Sequence, residues 1–184
     1  GPIFVAGADR SGTTLMTGLL ASHSGIAAPR LGSNLWTFFA GCFGSLADDA
    51  NLDRLLAALL RYRNALQFEP DLDRVRAAFR AGRPDESRLF MLIEDQWLER
   101  QGKRRWADKT SYIEQYADSI FAARPDARFV HMIRDPRDRF TSAIRKWPTG
   151  RGQLGGATAR WRTSVRLAER NLARYPGRYL VVRF

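Results

Sequence analysis

Gly7-Ala8-Asp9-Arg10-Ser11-Gly12-Thr13-Thr14 lies between two apolar runs, Ile3-Phe4-Val5-Ala6 before it and Leu15-Met16-Thr17-Gly18-Leu19-Leu20 after it. The order is strand, glycine-bounded loop, helix start. A loop of this kind aims several backbone N–H groups and the positive end of a helix dipole at one point, which suits a phosphate or a sulfate. The spacing Gly-x4-Gly matches the phosphate loops of nucleotide hydrolases, but those loops place a lysine after the second glycine, and here Thr13 stands there. The cation sits inside the loop instead, as Arg10. The segment predicts an anion site that is not built for the β- and γ-phosphates of a nucleoside triphosphate.

Working outward, strand-like and helix-like stretches alternate. Residues 3–7 form a first strand, 13–22 a helix and 24–28 a short strand ending before Pro29. Leu55, Leu56, Leu59 and Leu60 share one stripe of an amphipathic helix over 52–66. Further helices fit 72–80, stopped by Gly82 and Pro84, and 89–100, stopped by Gly102. Next come a short strand at 105–108, a helix at 112–123, a strand at 128–133 and a helix opening at Pro136 with Asp135 as cap. A long helix over 158–174 and a last strand over 178–184 complete the pattern. Strand–helix–strand alternation predicts an α/β fold: a P-loop-like, three-layer α/β/α arrangement with a central parallel sheet and a helical insertion at about 35–101.

The bulk numbers fit one domain over residues 1–184, since 45% hydrophobic content supplies a sizeable core. Formal net charge is +11, carried mostly by arginine; Lys103, Lys109 and Lys146 are the only lysines. Arginine suits bidentate phosphate and sulfate recognition. No basic stretch interleaved with aromatics points to nucleic acid. No run approaches the ~20 apolar residues of a membrane span. The one cysteine, Cys42, cannot form an internal disulfide, and the chain starts directly with a core strand rather than a secretory signal. Together these predict a cytoplasmic protein.

A second segment narrows the function. Arg128-Phe129-Val130-His131-Met132-Ile133 runs into Arg134-Asp135-Pro136-Arg137-Asp138-Arg139-Phe140-Thr141-Ser142. Arg10-Ser11-Gly12-Thr13-Thr14 near the start and Arg134-x7-Ser142 in the second half resemble the sulfotransferases that use 3′-phosphoadenosine-5′-phosphosulfate (PAPS). Between them, Trp106-Ala107-Asp108-Lys109-Thr110 resembles a motif of the bacterial and tyrosylprotein-sulfotransferase-like branch. The resemblance implies transfer of a sulfuryl group from PAPS to an acceptor hydroxyl, on a small molecule, a carbohydrate or a peptide, by in-line displacement. The product would be 3′-phosphoadenosine-5′-phosphate (PAP), and no metal is required. It assigns Arg10, Ser11, Gly12, Thr13 and Thr14 to the 5′-phosphosulfate, Arg134 and Ser142 to the 3′-phosphate, and Arg10 and Lys109 to catalysis. Asp108 fits either an orienting partner of Lys109 or its loop, or a cap for the next helix. In the resembled family the last strand runs on into an acidic segment, so a domain truncated at its C-terminus is expected.

The general base is not evident. A positioned His or carboxylate normally takes the acceptor's proton. The resembled branch carries a glutamate after the second strand, whereas residues 27–36 here hold no Asp or Glu. His23 fits a helix end and His131 a core strand, which leaves Glu94 or Asp95 from the insertion, or no base at all. The aromatic stretch Leu35-Trp36-Thr37-Phe38-Phe39-Ala40-Gly41-Cys42-Phe43 fits a buried helix, or the wall of an acceptor pocket together with Trp147 and Trp161. Two other readings stay open: a P-loop-type nucleotide or small-molecule kinase, and a catalytically weak member that binds PAP or another polyanion.

Overall fold

The computed structural model describes residues 1–149 and 153–184. Five strands, β1 (Ile3–Ala6), β2 (Ile26–Ala27), β3 (Arg105–Lys109), β4 (Arg128–Ile133) and β5 (Tyr179–Arg183), form one sheet in the order β2-β3-β1-β4-β5. All four pairings are parallel. β1 lies at the centre and is buried on both faces, which is why it reads as an unbroken apolar run rather than an alternation. Helices flank the sheet, so the expected α/β fold with a central parallel sheet is the observed one.

Helix α1 (Thr13–Ala21) returns the chain from β1 to β2. Between β2 and β3 come α2 (Leu35–Phe39), α3 (Asp49–Leu59), α4 (Arg63–Leu66), α5 (Leu72–Arg80) and α6 (Glu86–Gln101). A 3-10 turn (Ile113–Tyr116) and α7 (Ala117–Ala123) join β3 to β4. Helices α8 (Pro136–Lys146) and α9 (Leu154–Arg174) lead to β5. α8 begins as its sequence predicts, with Pro136 in its first turn and the Asp135 carboxylate accepting from the Arg137 N–H at 2.9 Å.

The helix expected over 52–66 is in fact two. α3 starts earlier, because Asp48 caps it by accepting from the Ala50 N–H at 2.9 Å. It stops at Leu59, and Tyr62 turns extended so that its ring packs on Phe38 and Phe39. Leu60, assigned to the apolar stripe by spacing, is half exposed as a result. The aromatic stretch from residue 35 is helical only through Phe39, and left-handed Gly41 and Gly44 keep the chain beyond it irregular. α6 likewise starts earlier than expected, at Glu86, behind an Asp85 cap, and α9 starts at Leu154 rather than 158.

The core is aromatic at its centre. Phe4 of β1 meets Trp36 and Trp106 edge-on and stacks on Phe129, with ring centroids 5.1–5.3 Å apart. One side chain thus packs α2, β3 and β4 around the central strand. α6 places a carboxyl in this interior: Glu94 is 1% exposed, and its two oxygens have no hydrogen-bond partner among the described residues. Burial, followed by the nearby Asp108, pushes its pKa well above the ordinary value.

An unpartnered buried polar group costs about 1–3 kcal/mol. Glu94→Met should therefore stabilise the fold by roughly that amount at neutral pH. The sign with pH comes from the raised folded-state pKa. Above about pH 4.5 the unfolded chain ionises while the folded one keeps its proton, so rising pH weakens the native protein until the folded pKa is passed. The advantage of the variant should widen from acid to neutral pH. Urea unfolding of both proteins measures it, and a gap that stays constant or reverses would contradict this account of Glu94.

Candidate functional site

The anion loop leaves the carboxyl end of β1, and its backbone is tightly constrained. Gly7 has φ +130°, and a Cβ there would lie 2.5 Å from the Met132 carbonyl oxygen. Arg10 takes a left-handed φ of 67°, uncommon outside glycine. Gly12 has φ +91°, and a Cβ on it would meet the Phe184 ring at 3.0 Å. Gly12 is also the helix cap, and no side chain caps α1. The hydroxyls of Ser11, Thr13 and Thr14 are therefore not spent on capping, and the first N–H groups of the helix face the loop without intrahelical partners.

A buried polar chain holds this loop from beneath. The Gly7 N–H donates to a Glu114 carboxyl oxygen at 3.2 Å, and the other oxygen accepts from the Ser164 hydroxyl. His131 continues the chain, with Nε2 3.0 Å from Ser164 Oγ and Nδ1 2.6 Å from the Tyr179 hydroxyl. Burial pushes the Glu114 pKa up and depresses that of His131 to about 4, so the imidazole is neutral. Arg139, also buried, donates to the Asp9 carbonyl at 2.9 Å and the Ala157 carbonyl at 2.8 Å. Neither Glu114 nor Arg139 was singled out by sequence. Arg139 is one arginine among several after β4, and only its burial separates it from its neighbours.

The predicted site residues are brought together. Arg10 Nε donates to Ser142 Oγ at 2.9 Å, and Arg134 Nη1 lies 3.5 Å from the Arg10 carbonyl. The Arg134 guanidinium sits 5.1 Å from the centre of the Phe184 ring, and its own carbonyl accepts from Trp161 Nε1 at 2.9 Å. Arg10, Arg134 and Ser142 border a cavity of about 450 Å³ to which Arg145 and Lys146 add charge, with Asp138 the one acidic lining residue among those described. On the other side of β1, Lys109 ends β3 and donates from Nζ to Thr14 Oγ1 at 3.1 Å. Ser11 to Thr14, Arg10, Lys109, Arg134 and Ser142 thus gather around the carboxyl ends of β1, β3 and β4, where open parallel sheets take their ligands.

Asp108 does not cap the next helix. Its Oδ1 accepts from the Ser33 N–H at 2.8 Å, and Oδ2 accepts from the Ser33 hydroxyl at 2.6 Å and the Thr110 hydroxyl at 2.9 Å. Thr110 Oγ1 in turn accepts from the Asn34 N–H at 2.9 Å. Asp108 therefore ties the loop after β2 to the strand that carries Lys109. The contact is close: a Cβ on Gly32 would fall 1.8 Å from the Lys109 carbonyl oxygen.

The candidate bases are all elsewhere. His23 precedes β2, at the opposite end of the sheet, and its Nδ1 accepts from the Gly25 N–H at 3.0 Å. His131 is enclosed in the core, Asp95 is paired with Trp106 Nε1 and Arg124, and Glu94 is sealed in the interior. Of the aromatic stretch, Trp36 and Phe39 are buried in the core while Phe38 is exposed, and Trp161 lines a cavity with Arg134 and Phe184 on the α9 side of the sheet. Among the described residues no cluster of His, Cys, Asp or Glu is placed to hold a metal, and no helix is long and apolar enough to cross a membrane.

A family model described as "Sulfotransferase family" matches residues 2–184. No curated protein sequence matches significantly. Among solved structures, the sulfotransferase domain of the olefin synthase of Synechococcus PCC 7002 is similar at TM-score 0.57 and 22% identity, over 99% of this chain and 65% of that one. A sulfotransferase of Mycobacterium avium is similar at TM-score 0.53 and 17% identity, over 99% of this chain and 58% of the other. One from Alicyclobacillus acidocaldarius is similar at TM-score 0.55 and 18% identity, over 100% of this chain and 73% of that one. The chain thus spans less than two thirds of the first two structures, and at these identities the likeness shows the fold. The family match, which runs over nearly every residue, shows that this chain belongs to the sulfotransferase family.

Proposed function

We propose that the protein binds PAPS and transfers its sulfuryl group to an acceptor hydroxyl by in-line displacement. The observation that carries this reading is the junction of Arg10, Ser142 and Arg134 beside the glycine-framed loop, which sets two anion seats next to each other. A 3′,5′-bisphosphorylated nucleotide has two anionic ends to fill them. Arg134 and Ser142 take the 3′-phosphate. The N–H groups of residues 12–14, with the hydroxyls of Thr13 and Thr14, take the 5′-phosphate, while the Ser11 N–H is held by the Ala8 carbonyl at 3.2 Å. Arg10 lies between the two seats.

In the transfer, a bond forms between the acceptor oxygen and sulfur. The bond from sulfur to the 5′-phosphate oxygen breaks, and its electron pair leaves with PAP. Negative charge grows on that oxygen, so cations beside it stabilise the transition state more than the ground state. Lys109 and Arg10 supply them. A kinase reading fares worse. Its aspartate at a strand end would hold Mg²⁺, but the Asp108 oxygens are buried and engaged by Ser33 and Thr110.

Arg134→Ala should weaken PAP binding by roughly 10- to 150-fold, the scale of one hydrogen bond to a charged group, and erase the preference for PAP over adenosine 5′-phosphate. Calorimetry measures both, and a retained preference would contradict the assignment of the 3′-phosphate.

Lys109→Ala should lower turnover at saturating PAPS by about 10²–10³, the scale of one lost electrostatic partner, while changing PAP affinity far less. Weakened PAP binding with intact turnover would make Lys109 a docking residue and overturn its catalytic role.

A further inference from the structure

Three basic side chains converge at the end of the sheet away from the anion loop. A cavity of about 330 Å³ there is lined by His23, Gly25, Ile26, Arg104 and Arg105. β2 and β3 begin at this end, with Ile26 paired to Arg105. Lys109 closes the other end of β3, roughly 13 Å away at the usual rise of a strand. None of the residues lining this cavity borders the one at Arg10, Arg134 and Ser142.

Backbone hydrogen bonds set the three side chains in place. The Gly25 carbonyl accepts from the N–H groups of Arg104 at 3.1 Å and Arg105 at 3.3 Å. The Gly25 N–H donates to His23 Nδ1 at 3.0 Å, and the Ile26 N–H donates to the His23 carbonyl at 3.1 Å. With Nδ1 accepting, Nε2 carries the proton of the neutral imidazole and is a donor. Gly25 is buried and has no side chain to intervene. A Cβ on it would lie 3.1 and 3.2 Å from Nε and Nη2 of Arg104 and 3.4 Å from Cε1 of His23. The Arg104 guanidinium and the His23 ring therefore lie over the same residue. Both arginines are exposed, and neither guanidinium is engaged by an acidic side chain among the described residues. The carboxylates that flank them in sequence are committed elsewhere, Glu99 to Arg74 at 2.7 and 2.9 Å and Asp108 to Ser33 and Thr110.

Two guanidinium forks and an imidazole N–H, presented by two separate chain segments, suit a doubly charged tetrahedral group. A phosphate offers three or four oxygens to meet them, whereas a carboxylate offers two in one plane. We infer that this cavity is a separate anion site that takes a phosphate dianion, free or as a monoester, with Arg104, Arg105 and His23 Nε2 as its donors. The site stands apart from the loop at Arg10 and does not depend on what that loop binds.

His23 itself reports occupancy. The chain has two histidines, and the other, His131, is enclosed in the core. Inorganic phosphate, added at fixed pH and ionic strength, should move the His23 ring signals in NMR spectra along a saturable curve and leave those of His131 in place. A His23→Gln variant assigns the signals. Arg104→Ala should weaken phosphate binding about 10-fold, the scale of one lost charge-assisted contact, and Arg105→Ala should do the same. Arg104→Lys should recover only part of the affinity, because an ammonium lacks the planar fork. Arg83→Ala controls for general charge. Arg83 precedes α6 and Arg104 follows it, so a helix of 16 residues, roughly 24 Å long, lies between them, and the affinity should not change. Both arginines of the site are exposed, so their removal should leave the fold intact, which an unchanged Tm verifies. Glycerol 3-phosphate separates the two sources: tighter binding than inorganic phosphate assigns the site to an organic monoester, and weaker binding assigns it to free phosphate. His23 signals that stay in place or drift without saturating would overturn the proposal. So would an Arg83→Ala loss equal to that of Arg104→Ala, or acetate bound as tightly as phosphate.

Discussion

The hydrogen bond from the Gly7 N–H to the Glu114 carboxyl is the constraint on which the site depends. It fixes the first residue of a loop whose backbone passes through left-handed conformations at Arg10 and Gly12. Such backbone persists only where the surroundings over-determine it. Glu114 supplies that determination, because its other oxygen accepts from Ser164, which reaches through His131 to Tyr179 at the edge of the sheet. Arg139 adds a second clamp on the Asp9 carbonyl. An unmade bond in this buried chain would cost about 1–3 kcal/mol.

What the sequence shows and what it hides divide along a physical line. β1 is legible because a central parallel strand is apolar throughout, β4 because Phe129, Val130, Met132 and Ile133 dominate its run, and α8 because Asp135-Pro136 is a local start signal. The loop residues are legible because an anion site needs glycine and hydroxyl groups in sequence. The break between α3 and α4 is not, since the Leu stripe continues past Leu59 and only the packing of Tyr62 on Phe38 and Phe39 decides against it. Asp108 looks like a helix cap because caps are local, whereas its partner Ser33 is 75 residues away. Glu114 is 107 residues from Gly7, and no spacing rule spans that distance. That residues 27–36 hold no Asp or Glu is, by contrast, plain in the sequence.

The two flanks of β1 differ in what lines them. On the β4 side, Arg10, Arg134 and Ser142 meet in a cavity with further cations, which the proposed function assigns to the nucleotide. On the β3 side, Lys109 reaches across to Thr14 and faces a smaller cavity whose charged lining residues, among those described, are Arg30 and Lys109. The loop between them is where a transferred group would sit. Rigid backbone suits this task, because in-line displacement depends on placing two oxygens on opposite sides of one atom.

The central claim is that two adjacent anion seats read one bisphosphorylated nucleotide. A crystal structure of the protein with PAP tests it most directly. The account predicts the 5′-phosphate on the N–H groups of residues 12–14 and the 3′-phosphate within hydrogen-bonding reach of both Arg134 and Ser142. A nucleotide bound with its 3′-phosphate away from that pair, or with its order along the loop reversed, would contradict it.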